Sequence, residues 1–508
     1  MSELSRKIET RLTGNEENAV FYNEKWVGIR NLQSDVMEIK RLLSEHGVKP
    51  GDKILLAKEN SYIFIAIYLA LIQFGATVVP VNPSMPKPEL MKVGSRAQVT
   101  GAFVSQEIVE RMDVEQLSTL RFMVTIPSKL GNASELVVNT VGSAVHEITT
   151  VQEPGEEETA ILLFTSGTTG LPKGVKLSHQ QVFATVSQVI RTHMLDQKDI
   201  SYCFLPLFHI NAQVVALLST VISGGKLVVE EKFSASRFWN TVNQHQVTWV
   251  SAVPTVIGIL IKGENTPQVP ASLRFVRSAS APLPMLTGKR FESRFGVPII
   301  ESYGITEAAS QVCVNPLPPG KRKVGSVGLP AGVHLKIVAD DGRQANTGET
   351  GEIAIQGESV IRHYAYGDEG KDSFQDGWFY TGDLGYVDED GYVFITGRKK
   401  EMINRAGQKI SPREVEDVIS QHDEVKSVAV IGLPDELYGE RVVAYLVPES
   451  WAKDKEELVQ ALHSLCKNSL SAYKCPEEFN FVEAIPAGPT GKVQRHRLRE
   501  EVLALGFR

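Results

Sequence analysis

Cysteine is scarce. The 508 residues hold only Cys203, Cys313, Cys466 and Cys475, with no CxxC pair and no metal-like cluster. That leaves no framework for a disulfide scaffold and fits a reducing cytosol. A basic excess is missing too: 53 lysines and arginines face 60 acidic residues, a net charge of −7 with no strongly basic domain. Nucleic acid is therefore not an expected partner. Long hydrophobic runs are also lacking. The longest, residues 62–72, is too short to cross a bilayer and is followed by Gln73, Gly75 and Pro80, so it reads as a buried helix. The start, MSELSRKIETRL, has no apolar signal core, and the closing LGFR is no peroxisomal address. The expectation is a soluble, cytoplasmic protein with no membrane span. Composition is ordinary for a globular chain, 42% hydrophobic and 22% charged without low-complexity tracts. At this length at least two domains are expected.

Against that background one stretch stands out. Residues 165–175 read TSGTTGLPKGV, with glycines at 167, 170 and 174, hydroxyls at Thr165, Ser166, Thr168 and Thr169, and a lysine at 173. The apolar residues 160–164 before it read as a buried strand, and Ser178 after it opens an amphipathic, helix-like stretch. Such a loop suits an anionic polyphosphate. Glycines let backbone N–H groups approach the oxygens, hydroxyls add donors, and lysine neutralises charge. It is not the common P-loop, because GxxxxGK followed by Ser or Thr does not occur. A flexible surface turn would account for the glycines but not for four hydroxyls and a lysine.

Elsewhere the periodicity speaks to architecture. Residues 34–46 and 61–74 read as helices, and 53–57 and 77–81 as strands; this alternation predicts an α/β layered fold with parallel pairing. Residues 388–391 (DEDG) read as a hairpin turn. Ser411, Pro412 and Glu414 predict a helix start with Ser411 as N-cap. With strands at 425–431 and 442–447 and a helix at 455–470, the tail from about residue 400 reads as a compact α+β unit.

The loop TSGTTGLPKGV resembles the phosphate loop of the adenylate-forming superfamily, which includes acyl- and aryl-CoA synthetases, peptide-synthetase adenylation domains and firefly luciferase. Further matches follow in the family's order along almost the whole chain: FLPLFHIN (204–211), RFVRSASAPL (274–283), ESYGITE (301–307), DGWFYTGD (376–383), ITGRKKE (395–401) and PTGKV (489–493). The resemblance implies a large N-terminal domain of layered α/β subdomains, residues 1–399, and a small mobile α+β domain, residues 400–508, hinged near Lys400. It also implies roles. Thr165, Ser166, Gly167, Thr168, Thr169 and Lys173 would hold the phosphates of ATP. Ser280, Ala281 and Pro282 would cradle adenine with Glu301, Ser302, Tyr303 and Gly304, Tyr303 offering a flat ring face. Thr306 would donate to the α-phosphate, and Glu307 would hold Mg²⁺. Asp383 would accept both ribose hydroxyls, with Arg398 reaching the same sugar. Lys492 would be the adenylation lysine. His209, which the family places between acyl pocket and nucleotide, would line the acid pocket with Asn211, Ser278 and Ser310. Gly407 would meet the pantetheine of coenzyme A.

The activity implied is ATP-dependent acid–CoA ligation through an acyl-adenylate, using ATP, Mg²⁺ and coenzyme A on a small-molecule acid; a homodimer stays open as the assembly. Domains that activate α-amino acids typically carry aspartate where His209 stands, which disfavours such a substrate. Residues 232–239, 249–255 and 315–328 look most like the oxalate–CoA ligase branch and its short-acid neighbours. That branch has further histidines where Asn211 stands and near Ser310, and a dianion needs cationic or donor-rich walls. The expected pocket offers His209, Asn211, Ser278 and Ser310, with Val214 and Val312 alongside. A small or medium carboxylic acid is therefore expected, with oxalate or another small dicarboxylate as runner-up. An enzyme loading a separate carrier protein and a luciferase-like oxygenase stay open as alternatives. A catalytically dead nucleotide binder does not fit the joint presence of Lys173, Glu307, Asp383, Arg398 and Lys492. Residues 494–499 (QRHRLR) are expected to form a solvated face, with binding of the CoA 3′-phosphate the lesser alternative.

Overall fold

A computed structural model describes residues 1–127, 132–141, 153–165, 173–263, 267–367, 369–449, 454–488 and 492–504. Two large sheets dominate the first part of the chain. The seven-stranded sheet has a parallel centre of Phe122–Ile126, Gly101–Ser105, Lys53–Ala57, Thr77–Pro80 and Thr159–Thr165, with antiparallel edges at Val137–Thr140 and Lys173–Ser178. The nine-stranded sheet has a parallel centre of Ile299–Tyr303, Phe275–Ser278, Trp249–Ala252, Ile200–Cys203, Lys226–Val229 and Val20–Tyr22. Alternating helices and strands thus pair in parallel, as expected.

The helix Tyr62–Phe74 touches both sheets and is buried along nearly its whole length. An apolar surface on every side is what a helix needs when it lies between two sheets. Ser61 caps it by accepting a hydrogen bond from the Phe64 N–H at 3.3 Å, and Gly75 closes it in the left-handed conformation (φ +82°). Among the described residues no helix is long and apolar enough to cross a membrane.

A third, antiparallel sheet contains His334–Val338, Gly351–Gln356, Trp378–Val387 and Val393–Arg398, the last two joined by the expected turn at 388–391. The fourth sheet, built on Val425–Asp435 and Gly439–Pro448, begins at Ile403. Strand alternation gives it two apolar faces. Val428, Val430, Val442 and Ala444 pack against the helices Pro412–Ile419 and Lys455–Ser469, while Ala429, Ile431, Val443 and Tyr445 pack against Arg495–Ala504. The architecture is a large α/β domain followed by a smaller α+β domain.

Two local expectations need correction. The strand after the glycine loop was not expected: Lys173–Ser178 pairs antiparallel with Thr159–Thr165 and buries Val175 and Leu177, while the helix opens after Ser178, at His179, as the sequence indicates. Ser178 still caps that helix, in a reciprocal capping box with Gln181. Ser411 does not cap its own helix. Its hydroxyl donates across to the Thr396 carbonyl, a tertiary bond that overrides the local rule.

Candidate active site

Parallel strands bring their C-terminal ends to one side of a sheet, where ligands of open α/β folds bind. Thr165 ends one such strand and lies in register with Lys173. The expectations for Ser166, Gly167, Thr168 and Thr169 fall outside the described residues. Lys173 Nζ sits 4.5 Å above the Tyr364 ring.

ESYGITE ends a strand of the other large sheet. Ser302 and Tyr303 are buried, and the chain then folds so tightly that a Cβ on Gly304 would meet the Ser310 carbonyl oxygen at 1.2 Å. No side chain fits there. The turn continues through Thr306 and Glu307 in a single 3₁₀ turn, Thr306–Ala308. Glu307 accepts a hydrogen bond from the Tyr364 hydroxyl at 2.9 Å on Oε1. A lone carboxylate fits Mg²⁺, which takes few protein ligands and fills its shell with phosphate oxygens and water. Among the described residues no cluster of three or more His, Cys, Asp or Glu could hold a metal by itself.

Asp383 is buried on the strand Trp378–Val387, directly opposite Arg398. Its Oδ1 pairs with Arg398 Nε at 2.8 Å, and its Oδ2 accepts the Tyr303 hydroxyl at 2.5 Å. Burial and the adjacent carboxylate push the Tyr303 phenol well above its ordinary value, so it stays a donor. Lys492 approaches the same group. Its pKa is lowered by burial and by the Arg398 charge, against the opposing pull of Asp383. Three motifs far apart in sequence, the first two 80 residues from each other, thus converge: Tyr303, Asp383 with Arg398, and Lys492.

The acid-pocket expectations divide. Asn211, at the start of the buried helical stretch 211–223, donates from Nδ2 to Ser280 Oγ at 3.3 Å and accepts from Arg277 Nη1 at 3.0 Å. Ser280 itself is held at φ +72°, a strained value for a residue with a side chain. His209 has a buried Nε2 with no hydrogen-bond partner, and burial pushes its pKa down to about 4, so its ring is neutral. Ser278 faces away from Arg277 by strand alternation, and Ser310 is held by its N–H on the Ile305 carbonyl at 3.0 Å. Ala281 is half-buried and Pro282 exposed beside Ser280. Glu301 turns towards the Gly325 N–H at 3.4 Å and feels the charges of Arg413 and Asp417 on the small domain. Burial chiefly raises its pKa, to about 7.

Lys400 lies in the 3₁₀ turn Lys399–Glu401 that links the third and fourth sheets. Its neighbours are anchored on opposite sides. Lys399 pairs with Glu352 of the third sheet at 2.7 Å, and Glu401 pairs with Arg495 of the C-terminal helix at 2.6 Å. Gly407 sits in an exposed turn at φ +84°. The basic stretch 494–499 is occupied by carboxylates: Arg495 holds Glu401 and Glu416, Arg497 holds Glu501, and Arg499 holds Glu440. These pairs speak against an anion site there.

Sequence reasoning missed Arg277 and Tyr364. A single charge inside the apolar strand FVRS was the available signal for the first. Tyr364 carried none, because its contact with Glu307 joins segments 57 residues apart.

A site with this strand before the glycine loop, tyrosine–aspartate–arginine cluster and nearby lysine is of the kind an adenylate-forming enzyme has. The chain belongs to the AMP-binding enzyme family: the family model matches residues 9–365, and the model for the AMP-binding enzyme C-terminal domain matches residues 414–492. It is 43% identical over 347 residues to a sulfoacetate–CoA ligase of Cupriavidus necator, covering 68% of this chain and 67% of that one. An oxalate–CoA ligase of Arabidopsis thaliana is 34% identical over 91% of each chain. Among solved structures, ATP-bound MatB from Rhodopseudomonas palustris superposes with a TM-score of 0.89 at 25% identity, over 99% of this chain and all of that one. The apo form of MatB superposes less closely, with a TM-score of 0.79. The chain is an AMP-forming acid–CoA ligase, a class whose cosubstrates are ATP, with Mg²⁺, and coenzyme A.

Proposed function

We propose that the chain joins a short carboxylic acid to free coenzyme A through an acyl-adenylate, by alternating a small domain, residues 400–508, against residues 1–399. One observation carries this reading: Lys492, from the far end of the small domain, lies within electrostatic reach of Asp383 and Arg398. In the first step an oxygen of the acid's carboxylate attacks the α-phosphorus. The bond to the β-phosphate bridge breaks, and pyrophosphate leaves with its electron pair. The attacker is already an anion, so no base is needed. The protein contributes placement and charge neutralisation: Lys492 and Thr306 at the reacting oxygens, Asp383 and Arg398 at the ribose, and Thr165 and Lys173 at the departing phosphates. Bound at Glu307, Mg²⁺ would supply further neutralisation of the triphosphate. The acid's hydrocarbon and far end would lie along His209 and Asn211.

In the second step the thiol sulfur attacks the acyl carbon, AMP leaves with the electron pair of the C–O bond, and the thiol proton passes to solvent. Lys492 must withdraw for this, and the Gly407 turn must enter. The opposed anchors of Lys399 and Glu401 support Lys400 as the pivot. The better superposition on ATP-bound than on apo MatB supports an orientation suited to the first step. A short acid is supported by the relatives named for sulfoacetate and oxalate. Four free thiols fit a cytoplasmic setting.

Separate assays of the two half reactions test this. Lys492→Ala should lower adenylate formation by about a hundredfold or more while sparing thioester formation from supplied acyl-adenylate. Lys400→Pro, which fixes φ at the pivot, should do the reverse. Equal damage to both steps by Lys492→Ala would refute the alternation.

A further inference from the structure

Resting on that reading, we infer that Arg277 is the counter-ion for a second anionic group on the acid, and that the substrate class is a short dianion: one carboxylate to be activated, and a sulfonate or second carboxylate at the far end. Arg277 lies in the parallel centre of the nine-stranded sheet and is 1% exposed. Its Nη1 donates to Asn211 Oδ1 at 3.0 Å and to Ser251 Oγ at 3.4 Å, both neutral, and its Nε is buried with no partner. Among the described residues no carboxylate pairs with it. Arg11, the other arginine buried among the described residues, shows the usual solution, an ion pair with Glu16 at 2.7 Å. A buried guanidinium without an anion is among the most costly groups a core can hold.

Its surroundings do not supply the missing charge. Burial, and next the Arg277 charge itself, push the nearby His193 down to about 3, so that ring is neutral. Burial lowers Arg277 only to about 9, so it stays cationic at neutral pH. Its position suits the second end of a substrate. Asn211 bridges the guanidinium to Ser280, so a single amide separates Arg277 from the segment beside the adenylation centre. The planar fork of a guanidinium matches the paired oxygens of a carboxylate or sulfonate, and Asn211 and Ser251 add polar atoms around it.

The test compares initial rates of AMP release by the full chain, with Mg²⁺–ATP and coenzyme A, on matched acids. Sulfoacetate, oxalate and malonate serve as dianions, and acetate and propionate as monoanions. At least one dianion should exceed the monoanions in kcat/KM by about a hundredfold, the scale of a buried charge pair. A sulfonate preference and a dicarboxylate preference both support the assignment and tell the two head groups apart. Arg277→Met should remove that preference, with the loss falling on the dianion and the KM for ATP unchanged; Arg277→Lys should restore part of it. A wild-type preference for monoanions, or an Arg277→Met variant that keeps the dianion preference, overturns the assignment while leaving the ligase reading intact. No AMP release with any acid would overturn the ligase reading itself. Should the variants not fold, the wild type decides. In the presence of a non-hydrolysable ATP analogue, dianions should raise Tm and monoanions should not; equal shifts overturn the assignment.

Discussion

Arg495 ties the turn Lys399–Glu401 to the helix Pro412–Ile419 of the small domain, and its removal has a calculable cost. Its guanidinium grips Glu416 with a fork, Nη2 to Oε2 at 2.5 Å and Nε to Oε1 at 3.1 Å, and reaches Glu401 with Nη1 at 2.6 Å. The Arg495 and Glu416 side chains are 17% and 13% exposed, so this is a largely desolvated pair. In Arg495→Met, Glu416 keeps one hydrogen bond, from the Val430 N–H at 2.8 Å. Breaking a buried pair by deleting one partner costs about 3–5 kcal/mol, and the residual exposure favours the lower end. For a domain of about a hundred residues, about 3 kcal/mol moves Tm by roughly 10–20 °C. Calorimetry of the full chain should show the small-domain transition fall by that amount at pH 8. The deficit should shrink towards pH 5, because an unpaired, buried Glu416 titrates above the ordinary carboxylate range and protonation relieves it. Adding Glu416→Gln to Arg495→Met should recover much of the loss. A single variant within 1 kcal/mol of the wild type, or a double variant no better than the single, would refute this account.

Two further outcomes follow from neighbouring side chains. Glu301 titrates near 7 in the folded protein against an ordinary 4.5, so its charged form is disfavoured by folding. The stability it contributes is full below about pH 4.5 and falls away as pH rises through 7, by up to about 3 kcal/mol. Glu301→Gln should therefore raise Tm at pH 8 and leave it unchanged at pH 4.5, as thermal scans can check; equal effects at both values would contradict it. Tyr364→Phe keeps the ring beneath Lys173 but deletes the hydroxyl that orients Glu307. Affinity for Mg²⁺–ATP, measured by calorimetry, should weaken by about tenfold, the scale of a hydrogen bond to a charged group, with the KM for the acid unchanged.

What could be read from the chain beforehand was whatever is written locally. The helix Tyr62–Phe74 and the alternating strands of the small domain follow from apolar spacing and turn residues. Motifs such as ESYGITE are specific enough to carry their positions with them. What could not be read depends on segments meeting in space. Arg277 shows in the sequence only as a lone charge in an apolar strand; its role emerges when the neighbouring strand Trp249–Ala252 and the helical stretch bearing Asn211 enclose it. The Ser411 hydroxyl has every local reason to cap its helix, yet the Thr396 carbonyl is better placed. Lys173–Ser178 is a short edge strand directly after a glycine loop, where turn signals mask the period of two. The basic tail hides its partners in the same way, since Glu401 and Glu416 lie 94 and 79 residues from Arg495.

The contacts that hold the small domain in place have a thermodynamic consequence. They include Lys409 with Asp340, Lys262 with Glu449 and Arg290 with Asp423, in each of which one or both side chains are well exposed. Pairs of this kind contribute about 0–1 kcal/mol each and weaken with salt. Together they would bias the proposed alternation by only a few kcal/mol. A cosubstrate that distinguishes the two orientations by a hundredfold in affinity shifts their ratio by the same factor, about 2.7 kcal/mol. With the alternation proposed above, such an interface would let the occupancy of the site, rather than the stability of the fold, decide which orientation is populated. ATP and coenzyme A would then each draw the ensemble towards the state that uses them, and rising ionic strength should flatten the landscape between the two.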